Sequence, residues 1–351
     1  MKAESPIMSK KNLSDFPGRS KAEWLKVITA DLKGKDINSL QSEWLSALSI
    51  SPFQHAEDLS HIPIAIPRQF QRPQLVQSFP ISDDIGNQLL QALEQGVSAP
   101  YFPDKMPWES FWSTLEDVSW DMLHPIWTPP LPTGTNPPHH PEQHAGSFYL
   151  SGNNDQDRPY RQDSGRFTFS IPKAGAADLP AQLAAWLIEI VSELDQLDAE
   201  QAERLFQNAL HKKQLGRNFF LELAALRAMR LLGYHIQSEY NLDDPGPILL
   251  WADLGPELAL GSLQESLIAY TTAGFAAVTG GADFIHIEAP AEEETELSQR
   301  LSRNIYHLFD MESHLFHVID PAAGSYAIEN LSQTLAQKTW SEFQGLLSSS
   351  K

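Results

Sequence analysis

The chain has 351 residues, 42% of them hydrophobic, which is enough for one barrel-sized domain or two ordinary ones. It contains no cysteine, so disulfides, zinc–cysteine sites, iron–sulfur clusters and thiol nucleophiles are excluded. A formal net charge of −20 opposes non-specific binding to nucleic acid or anionic membrane, and no signal-peptide pattern or run of about 18 apolar residues occurs. These features predict a soluble, cytoplasmic protein.

An N-terminal arm is predicted over residues 1–73. Residues 1–19 are polar and are expected to be disordered, and Ser20-Lys21-Ala22-Glu23 then has the pattern of a capping box that opens a helix. So short a helical arm is marginal without packing partners. We therefore expect its apolar side chains to lie either on the globular body of the same chain or on a partner chain.

Residues 74–351 are predicted to form one (β/α)8 TIM-barrel domain of the α/β class. Short apolar runs alternate here with helical stretches, which is typical of βα units around a parallel sheet. A segment rich in Pro, Gly, Asn, Asp and Gln at 129–166 interrupts the pattern and is predicted to be a mobile insertion. The eight predicted strands are Leu75–Phe79, Val97–Phe102, Ile126–Thr128, Ser147–Ser151, Phe167–Ile171, Gln214–Arg217, Pro247–Ala252 and Phe284–Glu288.

A histidine-rich loop lies within the insertion. His139, His140 and His144 supply ligand types that suit zinc or nickel. Their spacing on a proline-containing loop does not pre-form a metal site as two histidines at i and i+4 of a helix would. A flexible polar loop is therefore the favoured interpretation, and no metal is predicted.

The predicted strands also bear on catalysis. His286 and Glu288 alternate on the last strand and so point to the same face, where they form either part of an active site at the barrel mouth or a satisfied polar pair. Bulky residues such as Phe167, Phe169 and Trp251 recur along the strands. Because a ligand that threads the barrel axis requires small or polar inward residues, we expect the axis to be filled.

The segment 300–325, which we call the signature segment, is a helix followed by a tight connection. Leu297, Leu301, Ile305 and Leu308 are spaced as an inward apolar stripe, and Asp320-Pro321 ends the helical region before Gly324. An ion pair of Asp320 with Arg300 or Arg303 is expected to hold the connection.

The signature segment resembles that of the methylmalonyl-CoA mutase family. The matching residues are Arg300, Arg303, Asn304, Glu312, Asp320, Pro321, Gly324 and Ser325. Three further stretches agree in order: 15–36 is similar to the arm of the family's small (beta) subunits, 218–228 resembles its barrel, and Gly280-Gly281-Ala282 precedes the last strand. The resemblance implies a TIM barrel that binds an acyl-CoA, an adenosylcobalamin-binding domain, and interconversion of methylmalonyl-CoA and succinyl-CoA.

The chain departs from the catalytic members of that family in two ways. The cobalamin-binding pattern Asp-x-His-x-x-Gly is absent, so we expect no cobalamin-binding domain and no cofactor bound by this chain. The substrate-contacting histidine of the fifth strand is replaced by Ser170. No catalytic residue is therefore predicted, apart from the weaker candidates His286 and Glu288.

The resemblance and the departures together predict a non-catalytic small subunit. It would pair as a heterodimer with a catalytic large subunit that carries adenosylcobalamin, and stabilise that chain. The alternative is the acyl-CoA-binding barrel half of a split cobalamin-dependent mutase. In the first hypothesis the signature segment is structural, and docking uses apolar residues of the arm: Phe16, Trp24, Ile28, Leu32, Trp44 and Phe53.

Overall fold

The computed structural model describes residues 17–45, 48–59, 68–80, 82–104, 123–127, 149–150, 167–171, 179–288 and 296–349. The strands are β1 (Ser42–Leu45), β2 (Leu48–Ile50), β3 (Gln74–Ser78), β4 (Ala99–Phe102), β5 (Ile126–Trp127), β6 (Tyr149–Leu150), β7 (Phe167–Ser170), β8 (Ala209–Gln214), β9 (Leu249–Leu254) and β10 (Phe284–Ile287). The α-helices are α1 (Lys21–Asp31), α2 (Ile85–Glu94), α3 (Leu179–Leu194), α4 (Ala199–Asn208), α5 (Phe219–Glu239), α6 (Leu263–Thr279), α7 (Glu296–Met311) and α8 (Tyr326–Ser349). None of the described helices is both long and apolar enough to cross a membrane.

Strands β3 to β10 form one parallel sheet in the order β6-β5-β4-β3-β10-β9-β8-β7. The first and last strands, β3 and β10, are hydrogen-bonded neighbours, and every other neighbour in the sheet is consecutive in sequence. An eight-stranded barrel that is opened between its fourth and fifth strands has this strand order. The predicted α/β TIM-barrel class is confirmed.

All eight predicted strands overlap the observed ones, but the sixth, Gln214–Arg217, was predicted too late and shares only Gln214 with the observed strand. The observed strand β8 begins at Ala209. Its side chains His211, Lys212 and Lys213 interrupt the apolar run by which a strand is recognised in a sequence. In the folded chain these polar side chains have contacts that stabilise them within the sheet. His211 stacks on Phe169 and accepts a hydrogen bond from Trp186 Nε1, and burial lowers its pKa to about 3, so that it packs as a neutral ring. Lys213 pairs with Glu222 of α5.

The side chains of the sheet separate into two cores because neighbouring residues of a strand face opposite sides. Leu250 and Ile285 face outwards and belong to the core shared with the helices. The inner cluster draws on strands alone, and its large members Trp251 and Phe284 are fully buried. The centre of the barrel is therefore packed with side chains. Its buried members are Val76, Ala99, Ile126, Leu210, Leu249, Trp251 and Phe284.

The described part of the arm lies on the chain's own last helix. Leu48 is buried in the main core, and Asn330 of α8 donates a hydrogen bond to Gln54 at 2.7 Å. Helix α1 begins with the predicted capping box at Ser20 and contacts the arm through Trp24, which stacks on Phe53 at 3.9 Å between ring centroids. No residue of α1 is fully buried. The second half of the arm is thus packed on the barrel, whereas α1 keeps most of its surface accessible.

The buried side of α7 differs from the predicted stripe. Leu297 and Leu308 are about half exposed, and the buried positions include Ser302, Arg303 and Tyr306. The inner face of this helix adjoins polar groups at the ends of the strands, which explains why serine and arginine replace leucine there. Of the predicted stripe, Ile305 is buried in the main core and Leu301 is half-buried, whereas Leu297 and Leu308 lie on the outer side of the helix.

Asp320 pairs with Arg227 of α5, not with Arg300 or Arg303 as predicted. Arg227 Nη1 lies 2.7 Å from both carboxylate oxygens of Asp320, and its Nη2 donates to Glu329 of α8 at 2.8 Å. All three side chains are almost fully buried. The signature segment therefore connects two helices through one arginine.

The other members of the signature segment divide into two groups. Arg300, Asn304 and Glu312 are exposed. Gly324 adopts a left-handed backbone (φ +80°), and its N–H donates to Glu329 Oε1 at 3.1 Å. Pro321 and Ser325 are half-buried, and Ser325 accepts a hydrogen bond from Glu329 N through its carbonyl oxygen.

Replacing Arg227 by methionine is expected to lower the free energy of unfolding by about 3–5 kcal/mol. The change leaves two carboxylates buried without their cation, which costs more than the pair contributes when intact. Arg204→Met is the matched control, because Arg204 pairs with Glu200 on the exposed face of α4 and should cost at most about 0.5 kcal/mol. Urea unfolding followed by circular dichroism measures both, and equal losses would contradict the structural role of Arg227.

Two glycine substitutions should change stability in opposite directions. Gly324→Ala is expected to cost about 1–2 kcal/mol, because a left-handed backbone disfavours any side chain even where space is available. Gly345→Ala in exposed α8, which also has open space around it, should add about 0.5–1 kcal/mol through helix propensity. Thermal unfolding of the two variants tests this, and a stabilising Gly324→Ala would show that the left-handed turn is not required.

Candidate functional site

Four polar side chains form a continuous hydrogen-bonded series at the carboxyl ends of the strands. Lys212 Nζ lies 2.9 Å from Asp253 Oδ2, Asp253 Oδ1 lies 2.7 Å from His286 Nδ1, and His286 Nε2 lies 3.0 Å from Ser78 Oγ. We call these residues the polar relay. They come from the adjacent strands β8, β9, β10 and β3, whose carboxyl ends meet at one edge of the sheet. In TIM barrels this edge is where active sites are built.

The charge of Asp253 fixes the direction of the relay. Burial alone would raise the pKa of Asp253, but hydrogen bonds and charges from His286 and Lys212 outweigh it and hold the pKa well below its usual range. The ionised carboxylate can only accept, so His286 donates through Nδ1–H. In the neutral imidazole Nε2 is then left with its lone pair and accepts the hydroxyl hydrogen of Ser78.

Aromatic rings form the floor of this site. The Lys212 ammonium group lies 4.2 Å from the centroid of the Trp251 ring and 5.7 Å from that of Tyr101, within the range of cation–π attraction. Trp251 is fully buried in the inner cluster. The relay therefore lies on the packed centre of the barrel.

A small pocket opens beside the relay, between β3, β10 and α7. It is small and partly open to solvent, and it is lined by Ser78, His286 and Glu288 together with Arg303 and neighbouring residues of α7. Arg303 is 7% exposed and donates to Gln77 Oε1 at 2.7 Å, and burial lowers its pKa. Within the described part of the chain its guanidinium group has no carboxylate within 4 Å. The pocket therefore combines a buried cation with a serine–histidine pair.

The sequence identified part of this site. His286 and Glu288 both line the pocket, as their alternation on the last strand indicated. Ser170 is half-buried at the end of β7, in register with Lys212. The sequence analysis missed Ser78, Lys212 and Asp253. Counting by two from the inward Trp251 and Phe284 reaches Asp253 and His286, so the alternation within the strands could have found the aspartate.

The remaining predicted positions lie elsewhere or outside the described residues. Trp24, Ile28 and Leu32 are half-buried on or just after α1, and Phe53 is in the second half of the arm. Phe16 and the histidines at 139, 140 and 144 fall outside the described ranges, and of Trp44 only the backbone is described, in β1. Within the described ranges no group of three or more histidine or acidic residues is arranged to hold a metal ion.

Comparison with known proteins was made on sequence and on structure. Residues 200–348 match the family model described as methylmalonyl-CoA mutase. A methylmalonyl-CoA mutase from Cereibacter sphaeroides is 37% identical over 36% of this chain and 19% of its own length. The methylmalonyl-CoA mutase small subunit of Propionibacterium freudenreichii subsp. shermanii is 30% identical over 49% of this chain and 28% of its own length. The dihydropteroate synthase structure from Burkholderia cenocepacia aligns with a TM-score of 0.41 at 12% identity, covering 73% of this chain and 99% of that one.

These matches cover only part of each relative. The chain spans about a fifth to just over a quarter of the length of the two mutase relatives. The matched region, 200–348, contains strands β8 to β10, the buried residues Arg227 and Arg230 of α5, and the signature segment. Over residues 200–348 the chain is similar to the methylmalonyl-CoA mutase family, the same family that the signature segment resembles.

Proposed function

We propose that this protein is a non-catalytic, small-subunit-like component of an adenosylcobalamin-dependent methylmalonyl-CoA mutase. It pairs with a catalytic large subunit, which interconverts methylmalonyl-CoA and succinyl-CoA, and stabilises that chain in the cytoplasm. The observation that carries the proposal is the packed barrel centre, with Trp251 and Phe284 fully buried where an acyl-CoA would have to thread. Ser170, in place of the family's substrate-contacting histidine, supports it.

The described site does not fit adenosylcobalamin. The floor at the carboxyl ends of the strands is closed by Trp251 and by the Lys212 ammonium group above its ring, and the small adjacent pocket has no room for a corrinoid ring. We therefore propose that the partner chain binds the cofactor. In this proposal the chain divides into an arm, 1–73, and a barrel domain, 74–351 with an insertion at 129–166, a division supported by the start of β3 at Gln74.

Helix α1 is the part of the arm best suited to docking. Trp24, Ile28 and Leu32 are only half-buried, and Val27 is 61% exposed. Because the second half of the arm is packed on α8, α1 is held close to the barrel with apolar surface available. A partner that covers this surface would complete the burial that the chain alone does not provide.

Co-expression with the catalytic mutase chain of the same cell is expected to yield a heterodimer. The double substitution Trp24→Ala and Ile28→Ala should weaken its association by about 2 kcal/mol or more, corresponding to roughly 30-fold in Kd, since buried aromatic residues dominate interface energies. Light scattering after size exclusion measures the mass, and titration measures the Kd.

The matched control for this experiment is Ile268→Ala on α6, another exposed isoleucine that lies outside the arm. It should leave the Kd unchanged. A wild-type chain that remains monomeric at micromolar concentration beside the catalytic chain would overturn the proposed function. A heterodimer that is insensitive to the α1 substitutions would preserve the pairing and exclude α1 as its interface.

The alternative, an acyl-CoA-binding half of a split mutase, is favoured by the buried cation Arg303 and is tested by adding CoA esters to the isolated protein. A ligand present at about 100 times its Kd stabilises the folded state by about 2.7 kcal/mol. With a packed barrel centre we expect no heat on titration with succinyl-CoA and no change in Tm. A Tm increase that is lost in Arg303→Gln would favour the alternative.

A further inference from the structure

The polar relay has the arrangement of an activated serine nucleophile. Such a site needs a hydroxyl within hydrogen-bond reach of a base, and a third group that orients the base. Ser78 Oγ is 3.0 Å from His286 Nε2, and His286 Nδ1 is 2.7 Å from Asp253 Oδ1. The three residues come from β3, β10 and β9, so rigid strands hold them.

The three side chains differ in solvent exposure in the way this chemistry requires. His286 is 5% exposed and Asp253 is 8% exposed, whereas Ser78 is half-exposed on the wall of the pocket. A buried carboxylate keeps the imidazole in the tautomer that accepts at Nε2. The hydroxyl is the only member of the triplet that an incoming molecule can readily reach.

Lys212 and Arg303 add positive charge on two sides. Lys212 pairs with the second oxygen of Asp253 and so holds the carboxylate in place. Arg303 lines the same pocket as Ser78 and makes its hydrogen bond to the neutral side chain of Gln77. A guanidinium group in this position can stabilise the negative charge that develops on a carbonyl oxygen during attack.

We propose that Ser78 is a catalytic nucleophile toward small carboxylic esters. Ser78 Oγ attacks the ester carbonyl carbon while His286 Nε2 takes the hydroxyl proton. The bond to the leaving alkoxide breaks, the alkoxide receives that proton from His286, and an acyl group remains on Ser78. Water then attacks the acyl carbonyl with His286 as base, which releases the carboxylic acid and restores the serine. The pocket is small and partly open to solvent, so the acyl group is restricted to a short chain.

This activity is independent of the proposed pairing with a mutase chain, because the relay and the arm share no residue. The competing interpretation is a purely structural layer in which four polar groups satisfy one another at the end of the sheet. Both interpretations predict the same hydrogen bonds. They differ in whether the serine reacts, so a chemical probe separates them.

The test treats the full-length protein with p-nitrophenyl acetate and, separately, with a fluorophosphonate probe, followed by intact-mass measurement and peptide mapping. We expect one adduct per chain, on Ser78, with a burst of p-nitrophenol of about one equivalent. Ser78→Ala should abolish it, and His286→Gln should slow labelling by about 100-fold or more, as for loss of a general base.

Ser341→Ala is the control, since Ser341 is exposed on α8 and its hydroxyl donates only to a helix carbonyl. It should label as the wild type does. Circular dichroism and Tm establish that each variant is folded, and Ser78→Ala decides the question even where His286→Gln does not fold. Labelling that persists in Ser78→Ala, or no adduct on folded wild-type protein, would overturn the proposal.

Discussion

A single buried carboxylate stabilises the junction between the first and last strands of the barrel, β3 and β10. Asp283, fully buried just before β10, accepts from Arg230 of α5 at 2.6 Å, from the N–H of Leu250 in β9 at 2.9 Å and from the N–H of Gln69 at 2.7 Å. Three segments far apart in sequence are thus tied to the start of the last strand, beside the first. A charge buried in this way is tolerated only when its hydrogen bonds are made, so the rest of the sheet has to assemble around it.

The two ends of the barrel use charge for different purposes. At the amino ends of the strands, Arg230 and Asp283 form a buried pair, and one helical turn away Arg227 joins α5 to Asp320 and α8. At the carboxyl ends, the relay is only partly closed from solvent and includes the half-exposed Ser78. This division agrees with the general behaviour of TIM barrels, in which the amino end carries stability and the carboxyl end carries chemistry.

Local features of this fold were readable from the sequence, whereas its long-range partners were not. Seven of the eight strands and the cap at Ser20 follow from apolar runs and short-range hydrogen bonding, which depend on neighbouring residues. The partner of Asp320 lies 93 residues away and that of Ser78 lies 208 residues away, so either needs the barrel topology first. The stripe on α7 was only partly right, because the inner face of that helix combines the apolar Ile305 with Ser302 and Arg303, whose polar partners are distant in sequence.

The same topology explains how a barrel with a filled centre retains polar machinery at its mouth. Trp251 and Phe284 occupy the inner layer, and the inward positions two residues later on the same strands are Asp253 and His286. Because the side chains alternate, closing the centre with aromatic rings leaves this next layer free to remain polar. Lys212 contacts both layers, because its ammonium group lies over the Trp251 ring and forms an ion pair with the Asp253 carboxylate. A packed barrel centre and a serine–histidine–aspartate arrangement are therefore compatible within one sheet, and the small pocket beside α7 is the space in which that arrangement can act.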